Sequence, residues 1–454
     1  MRTMFRHVTR AHRADRFLSL LLGVGLATGT GTTGALATEQ ASRTDTRLLS
    51  VAEAEKRALD SNPSLLSVEA KQRANQALTN AGISRMLPSV FLSDEYQHWN
   101  QPFVIAFGPQ TLQARDADTN TFSASVSQPL LGLVKLVEEY RAQKLATKAT
   151  EAQIKVVQAA VRKGVRIAFL RHFEAKAMEE IAQQSEKELS EQVTIAEAKL
   201  KAGVLTHADV LRVKVAVANA QQQEIVAHTQ AEVARVSILV AMGGSPDDGV
   251  QLQAPTELLL TSRGEVGAYG ESLSRAWQAR PELQTARLVI DARQHQERSR
   301  LWSLLPDINA EGGYVRIDGQ IFAPQNSAFV GVKASWPIWT WGTSWFGYRA
   351  AQAETESARQ ELAAQKRQVA NEVASELSQS AAARSAVRVA EQSITSAQEA
   401  YRVTDALVKA GSATTTDLLE AQSALAQARL NLVRAQYQLA SAYVSIQHAI
   451  GDEK

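Results

Sequence analysis

Two kinds of hydrophobic periodicity share this chain, one helical and one of period two. Leu418, Leu425, Leu432, Leu439 and Ile446 recur every seven residues, and Ala421, Ala428, Ala435 and Ala442 follow the first four at a distance of three. That is the apolar seam of a coiled-coil helix with a small residue in one layer. An earlier stretch repeats the seven-residue spacing with Val213, Ala220, Ala227, Ala234 and Ala241. Alanine lets helix axes approach closely, which favours sheet-like or barrel-like helical arrays over thick cores. The period-two tracts are shorter. In residues 121–127 hydroxyl side chains alternate with Phe122, Ala124 and Val126, while Val330, Val332 and Ala334 alternate with Gly331, Lys333 and Ser335. Such strands belong to a sheet with unlike faces.

Proline sets the bounds of these elements. Residues 130–245 and 338–454 contain none, and there the chain can run as long helices. Each stretch reads as two helices meeting at a Lys-Ala-Gly turn, at Gly203 and Gly411. A helix over 131–202 would be roughly 110 Å long, far beyond a globular helix. Ser50 with Glu53 predicts a capping box for a first, shorter helix, and Gly243-Gly244 predicts a helix stop. Strands are expected near 88–100, 119–129, 306–318 and 327–338. Four strands cannot close a barrel, and an open edge is forbidden in lipid, so several chains would have to share one.

The halves of the chain are copies of one unit. Ala58 to Pro63 recurs as Ala276 to Pro281, and Leu87-Pro88 as Leu305-Pro306, both at an offset of 218. Gln128-Pro129 matches Trp336-Pro337, Arg141 matches Arg349, the Gly203 turn matches the Gly411 turn, Asp209 matches Asp417 and Gly243 matches Gly451, all at 208. The ten-residue difference lies between Pro88 and Pro129. The expected division is a signal peptide over 1–37, a first repeat over 38–244, a linker over 245–275 and a second repeat over 276–454. Each repeat is read as a shorter helix, a hairpin (about 88–129 or 306–338) and two long helices.

Composition and charge narrow the function. The 454 residues are 45% hydrophobic and 21% charged with no Cys, which excludes a disordered polymer, thiolate chemistry and an N-terminal lipidated cysteine. Five Arg precede the apolar stretch 17–27, and Ala35-Leu36-Ala37 supplies small residues for cleavage, the pattern of a secretory signal. Beyond residue 37 the chain carries 44 basic and 46 acidic side chains, which gives no electrostatic case for nucleic acid. No catalytic constellation emerges. The eight His are scattered without a metal-type spacing, His207 reads as an exposed turn residue, and there is no phosphate-binding glycine loop, so no cofactor is expected. Trp336, Trp339, Trp341 and Trp345 crowd the junction of the last strand with the next helix, a placement that suits a membrane interface or a simple packing of that junction.

A tandem unit of helix, hairpin and two long helices, with Asn62-Pro63, Leu87-Pro88 and paired Gly…Asp turns, resembles the TolC family of outer-membrane efflux and secretion channels, over about Leu48 to Gly451. The resemblance implies a mainly α chain with a transmembrane β part. In that fold a trimeric α-barrel crossing the periplasm continues a shared 12-stranded β-barrel in outer-membrane lipid. It also implies a periplasmic adaptor (membrane fusion) protein and an inner-membrane transporter of RND, ABC or MFS type as partners, with no enzymatic activity. On this pattern Gly203, Val204, Leu205, Thr206, Gly411, Ser412, Ala413 and Thr414 are the tips that meet the adaptor, and Asp209 and Asp417 cap the helices that follow. Asp417 and Glu420 match paired acidic positions at the channel entrance, where copies from each subunit would form cation-attracting rings. The chain departs from the best-known member at Val408 and Ala413, where that protein has a Tyr and an Arg latch. The competing reading is an exported periplasmic coiled-coil scaffold or adaptor that never enters the membrane; duplication of the whole unit disfavours it.

Overall fold

A computed structural model describes residues 48–245, 249–264 and 267–452; the segment expected to be a signal peptide and part of the expected linker lie outside them. The chain alternates short helix pairs, strands and long helix pairs. Helices α1 (Val51–Ser61) and α2 (Pro63–Ser84) precede β1 (Ser89–His98), β2 (Phe103–Phe107) and β3 (Gln110–Pro129). Then come α3 (Gly132–Lys201) and α4 (His207–Ala241), and a short α5 (Thr256–Thr261). The pattern repeats as α6 (Tyr269–Ala279), α7 (Pro281–Trp302), β4 (Asp307–Gln320), β5 (Asn326–Ser335), α8 (Thr343–Lys409) and α9 (Thr415–Ile450).

The long helices follow the proline-free tracts. α3 has 70 residues and α8 has 67, about 100 Å each at 1.5 Å per residue. Neither α4 nor α9 is as long, at 35 and 36 residues. Each therefore covers half of its long partner, and the short pairs α1–α2 and α6–α7 cover the rest. Between α1 and α2 the single helix expected from the sequence is broken, because Pro63 cannot continue the hydrogen-bond ladder and takes the first helical position instead. Asn62 ends α1 in an extended conformation, and its side-chain oxygen accepts from the Ser64 amide at 2.9 Å. The same break recurs at Pro281, but there Arg280 replaces the cap and is held by Glu372 and Glu282.

The helices form one layer. Away from the sheet its order is α4, α3, α9, α8, so α4 and α8 are edges while α3 and α9 have protein on both sides. Seam residues Leu418, Leu425, Ala428, Ala435, Leu439 and Ile446 of α9 are buried, as are Val213, Ala220 and Ala227 of α4. The Ser50–Glu53 capping box forms as expected. Glu55 of α1 pairs with Arg166 of α3 at 2.6 Å, and Phe169 and Val165 pack beneath it with Ile238 and Met242.

The sheet runs β1-β3-β4-β5, all antiparallel, with β2 also on β3. A fifth strand thus joins the four expected. β1 and β2 occupy one lane, interrupted before Phe103 where Pro102 can donate no ladder hydrogen bond, and β3 continues past both. The ten extra residues of the first hairpin lengthen this lane. Register places Val90, Val126, Gly312 and Val330 in one row, with Leu92, Ala124, Tyr314 and Ala328 in another on the same face. The opposite face carries Ser89, Ser127, Glu311 and Gly331, then Phe91, Ser125, Gly313 and Phe329. Every residue of the edge strands β1 and β5 is exposed. No helix among the described residues is long and apolar enough to cross a membrane.

Candidate functional site: the helix tips and the bare edges

Both helix tips are built by the same local chemistry. At the first, Gly203 adopts φ +72°, its amide donates to the Leu200 carbonyl and the Val204 amide to Lys199. At the second, Gly411 adopts φ +76°, with the matching bonds to Val408 and from Ser412 to Leu407. Each is a Schellman turn that needs a left-handed residue. A capping box then starts the next helix: Thr206 and Asp209 bond reciprocally, and so do Thr414 and Asp417. The Thr414 amide and hydroxyl, each at 2.8 Å from the Asp417 carboxylate, hold that group below the usual carboxylate range. At the other tip the hydroxyl and amide of Thr206 do the same for Asp209, with Arg212 adding attraction at 3.1 Å.

Val204, Ser412, Thr206, Thr414 and both glycines are exposed, Leu205 and Ala413 are half-buried, and His207 is exposed. Asp417 and Glu420 are both exposed one turn apart at the start of α9. At the other end of the molecule Trp339, Trp341 and Trp345 are exposed, Trp339 meeting Trp341 edge-to-face with centroids at 5.6 Å. Trp336 is tied down through its indole N–H to the Leu304 carbonyl at 3.3 Å.

Two features were not anticipated. Gln422, two residues beyond Glu420, is buried with both amide atoms unpartnered among the described residues. Higher up, two adjoining cavities of about 480 and 360 Å³ open along α3 between α4 and α9, sharing Arg171, Ala234 and Ser237. Lys163, Arg171, Glu174 and Arg434 line this groove, and burial pushes the Glu174 carboxyl up against the pull of the two Arg. Because Arg171 and Arg434 are distant in sequence, no local pattern in the sequence marks the place.

A sheet with unlike faces, ended by two strands each open on one side and continued by a helical layer about 100 Å long, defines a subunit of a TolC-like outer-membrane channel. The chain belongs to the outer membrane efflux protein family, whose model matches residues 55–244 and 272–452. Among curated relatives it is 26% identical to outer membrane efflux protein BepC of Brucella suis, over 60% of each chain. To alkaline protease secretion protein AprF of Pseudomonas aeruginosa it is 22% identical, over 87% of this chain and 82% of that one. Among solved structures, CusC superposes with a TM-score of 0.78 at 15% identity, covering 89% of this chain and 92% of that chain. VceC of Vibrio cholerae gives 0.75 at 17% identity, covering 89% and 97%. At such identities the structures speak to the fold alone. The family is one of outer-membrane channels, and that membrane is where this chain resides.

Proposed function

We propose that the chain is the passive exit duct of a tripartite efflux or type I secretion system, assembled as a homotrimer. The observation that carries this is the pair of bare edges. β1 and β5 run in opposite directions, so β5 of one copy can pair with β1 of the next and keep the antiparallel ladder unbroken. Three copies of four lanes give twelve, a closed barrel without edges. The helical layer has matching edges. α4 exposes Leu211, Val215, Ile225, Val226, Val233 and Val240 on the side opposite its seam with α3, and α8 exposes Val389, Val403 and Leu407. Apolar stripes of this kind mark association surfaces.

On this reading the two repeats (38–244 and 276–454, joined by 245–275 and preceded by a signal over 1–37) curve into one wall. The tips at 203–206 and 411–414 meet a periplasmic adaptor, through which an inner-membrane transporter delivers cargo. Asp417 and Glu420 form carboxylate rings at the entrance, and the four Trp sit at the inner rim of the membrane. The names of BepC and AprF, efflux and protease secretion, support both kinds of partner system. The test is single-channel recording in planar bilayers under a salt gradient. Cation-selective pores whose selectivity falls in Asp417→Ala/Glu420→Ala support the assignment. Unchanged selectivity in that variant removes the ring, and folded protein that never inserts removes the channel.

A further inference from the structure

We propose that the groove along α3 is a transient binding site for amphipathic anions in the bore of the duct; it rests on the channel reading above. Its position decides which side it faces. Arg166, which binds Glu55 of α1, lies roughly 140–180° around α3 from Gly164, Arg171 and Ala175 on the floor of the groove, and roughly 60–80° from Lys163 and Glu174 on its flank. α1 and α5 thus fill one face of the helical layer, and the groove opens on the other. A duct requires an unobstructed inner face, so the face free of short helices lines the bore.

The lining sets the chemistry of the ligand. Among the described residues no ion pair holds Lys163, Arg171 or Arg434. Two of them, Arg171 and Arg434, act on the one carboxylate, Glu174, which burial already disfavours as an anion, while Lys163 stands about three turns away on α3 in the adjoining cavity. Between them lie Ile167, Ala175, Met178 and Val233, which accept apolar surface. A volume of several hundred Å³ with convergent cations and an apolar floor suits a molecule of drug size that carries a sulfonate or carboxylate on a hydrocarbon skeleton. Openness to the bore keeps such a site shallow and its occupancy brief. Order along the path also matters: acids stand at the entrance turn and bases further up, so an anion that passes the first meets attraction at the second. Guanidinium groups suit the task because they stay charged and present planar donor pairs to an oxyanion.

The test uses the full-length trimer in planar bilayers with taurocholate as probe, added on the periplasmic side, and tetraphenylphosphonium as a cation of similar bulk. Brief current blocks by taurocholate are expected, shortening as salt rises from about 0.1 to 1 M because the pairing is screened. Arg171→Gln/Arg434→Gln should shorten the blocks about tenfold, while Arg171→Lys/Arg434→Lys keeps most of the dwell time. Both variants are first checked for wild-type conductance and trimer content. Equal blocking by both probes, or blocks unchanged in the Gln variant at normal conductance, would overturn the proposal alone. Loss of the trimer in the Gln variant, with the Lys variant intact, would show instead that a neighbouring subunit occupies the groove. Folded protein that forms no pores would overturn the channel reading and this site with it.

Discussion

α4 and α9 occupy the same place in the two repeats, begin with the same Thr…Asp capping box and end at the same kind of glycine turn, yet their surfaces differ. α9 leaves none of its large apolar side chains exposed, whereas α4 exposes six. The difference lies in topology. α9 is flanked by α8 and α3, while α4 packs on α3 and, among the described residues, has no helix on its far side. Position 214 on α4 is an exposed Lys paired with Glu197 at 2.7 Å, whereas its counterpart 208 residues on, Gln422, is buried. Duplication fixed the shape of the unit, and its place in the layer then fixed which faces became core.

That comparison breaks most visibly if the α4 stripe is made polar. Val215→Glu/Ile225→Glu/Val240→Glu should abolish the trimer by native mass spectrometry while leaving the helix content of the monomer intact; collapse of the monomer would mean that the stripe belongs to its own core. On α9 the reverse holds. Leu425→Ala should destabilise the monomer itself by about 2–5 kcal/mol in denaturant titrations, since the buried seam cannot refill the space. Gln422→Leu sharpens the point from the other direction: it removes two unpartnered buried polar atoms and is expected to stabilise by about 1–3 kcal/mol. At the turns, Gly411→Ala should cost about 1–2 kcal/mol for the left-handed conformation alone. Gly243→Ala should cost more in the same denaturant titrations, because its Cβ would also meet the Ser61 hydroxyl at 2.6 Å.

The smallest effect is electrostatic. Asp209 and Asp417 have folded-state pKa values below their unfolded ones, so their contribution is fully present above about pH 4 and disappears as pH falls through the lowered values. Amide exchange in the first turns of α4 and α9 should accelerate across that acid range, and equally in the two helices; a change confined to one would show that the caps are not equivalent.

What the sequence made legible was whatever a few neighbouring residues decide. Gly203, Gly411, the Thr…Asp caps, most of the seven-residue seams and the alternating strand faces act within one or two turns; the α4 seam is buried at Val213, Ala220 and Ala227 but not at Ala234 and Ala241. The break at Pro63 is hidden by the repetition of Ala58 to Pro63 as a unit, although Asn-Pro is itself a stop and a start. β2 was missed because Pro102 hid a second segment of the same lane. The Arg171–Arg434 groove and the burial of Gln422 depend on which helices become neighbours, and no local pattern carries that.

The unpaired edges of β1 and β5 also bear on how the channel is made. A single chain can fold its long helices at once, since their seams close within that chain, both inside each repeat and between α3 and α9. If three copies share one barrel, as proposed above, its strands cannot reach their final pairing alone, and until then they offer open ladders to any passing chain. Membrane insertion should therefore rise more steeply than linearly with the concentration of folded subunits, and a cell making too few would accumulate helical monomers vulnerable to proteolysis at the sheet.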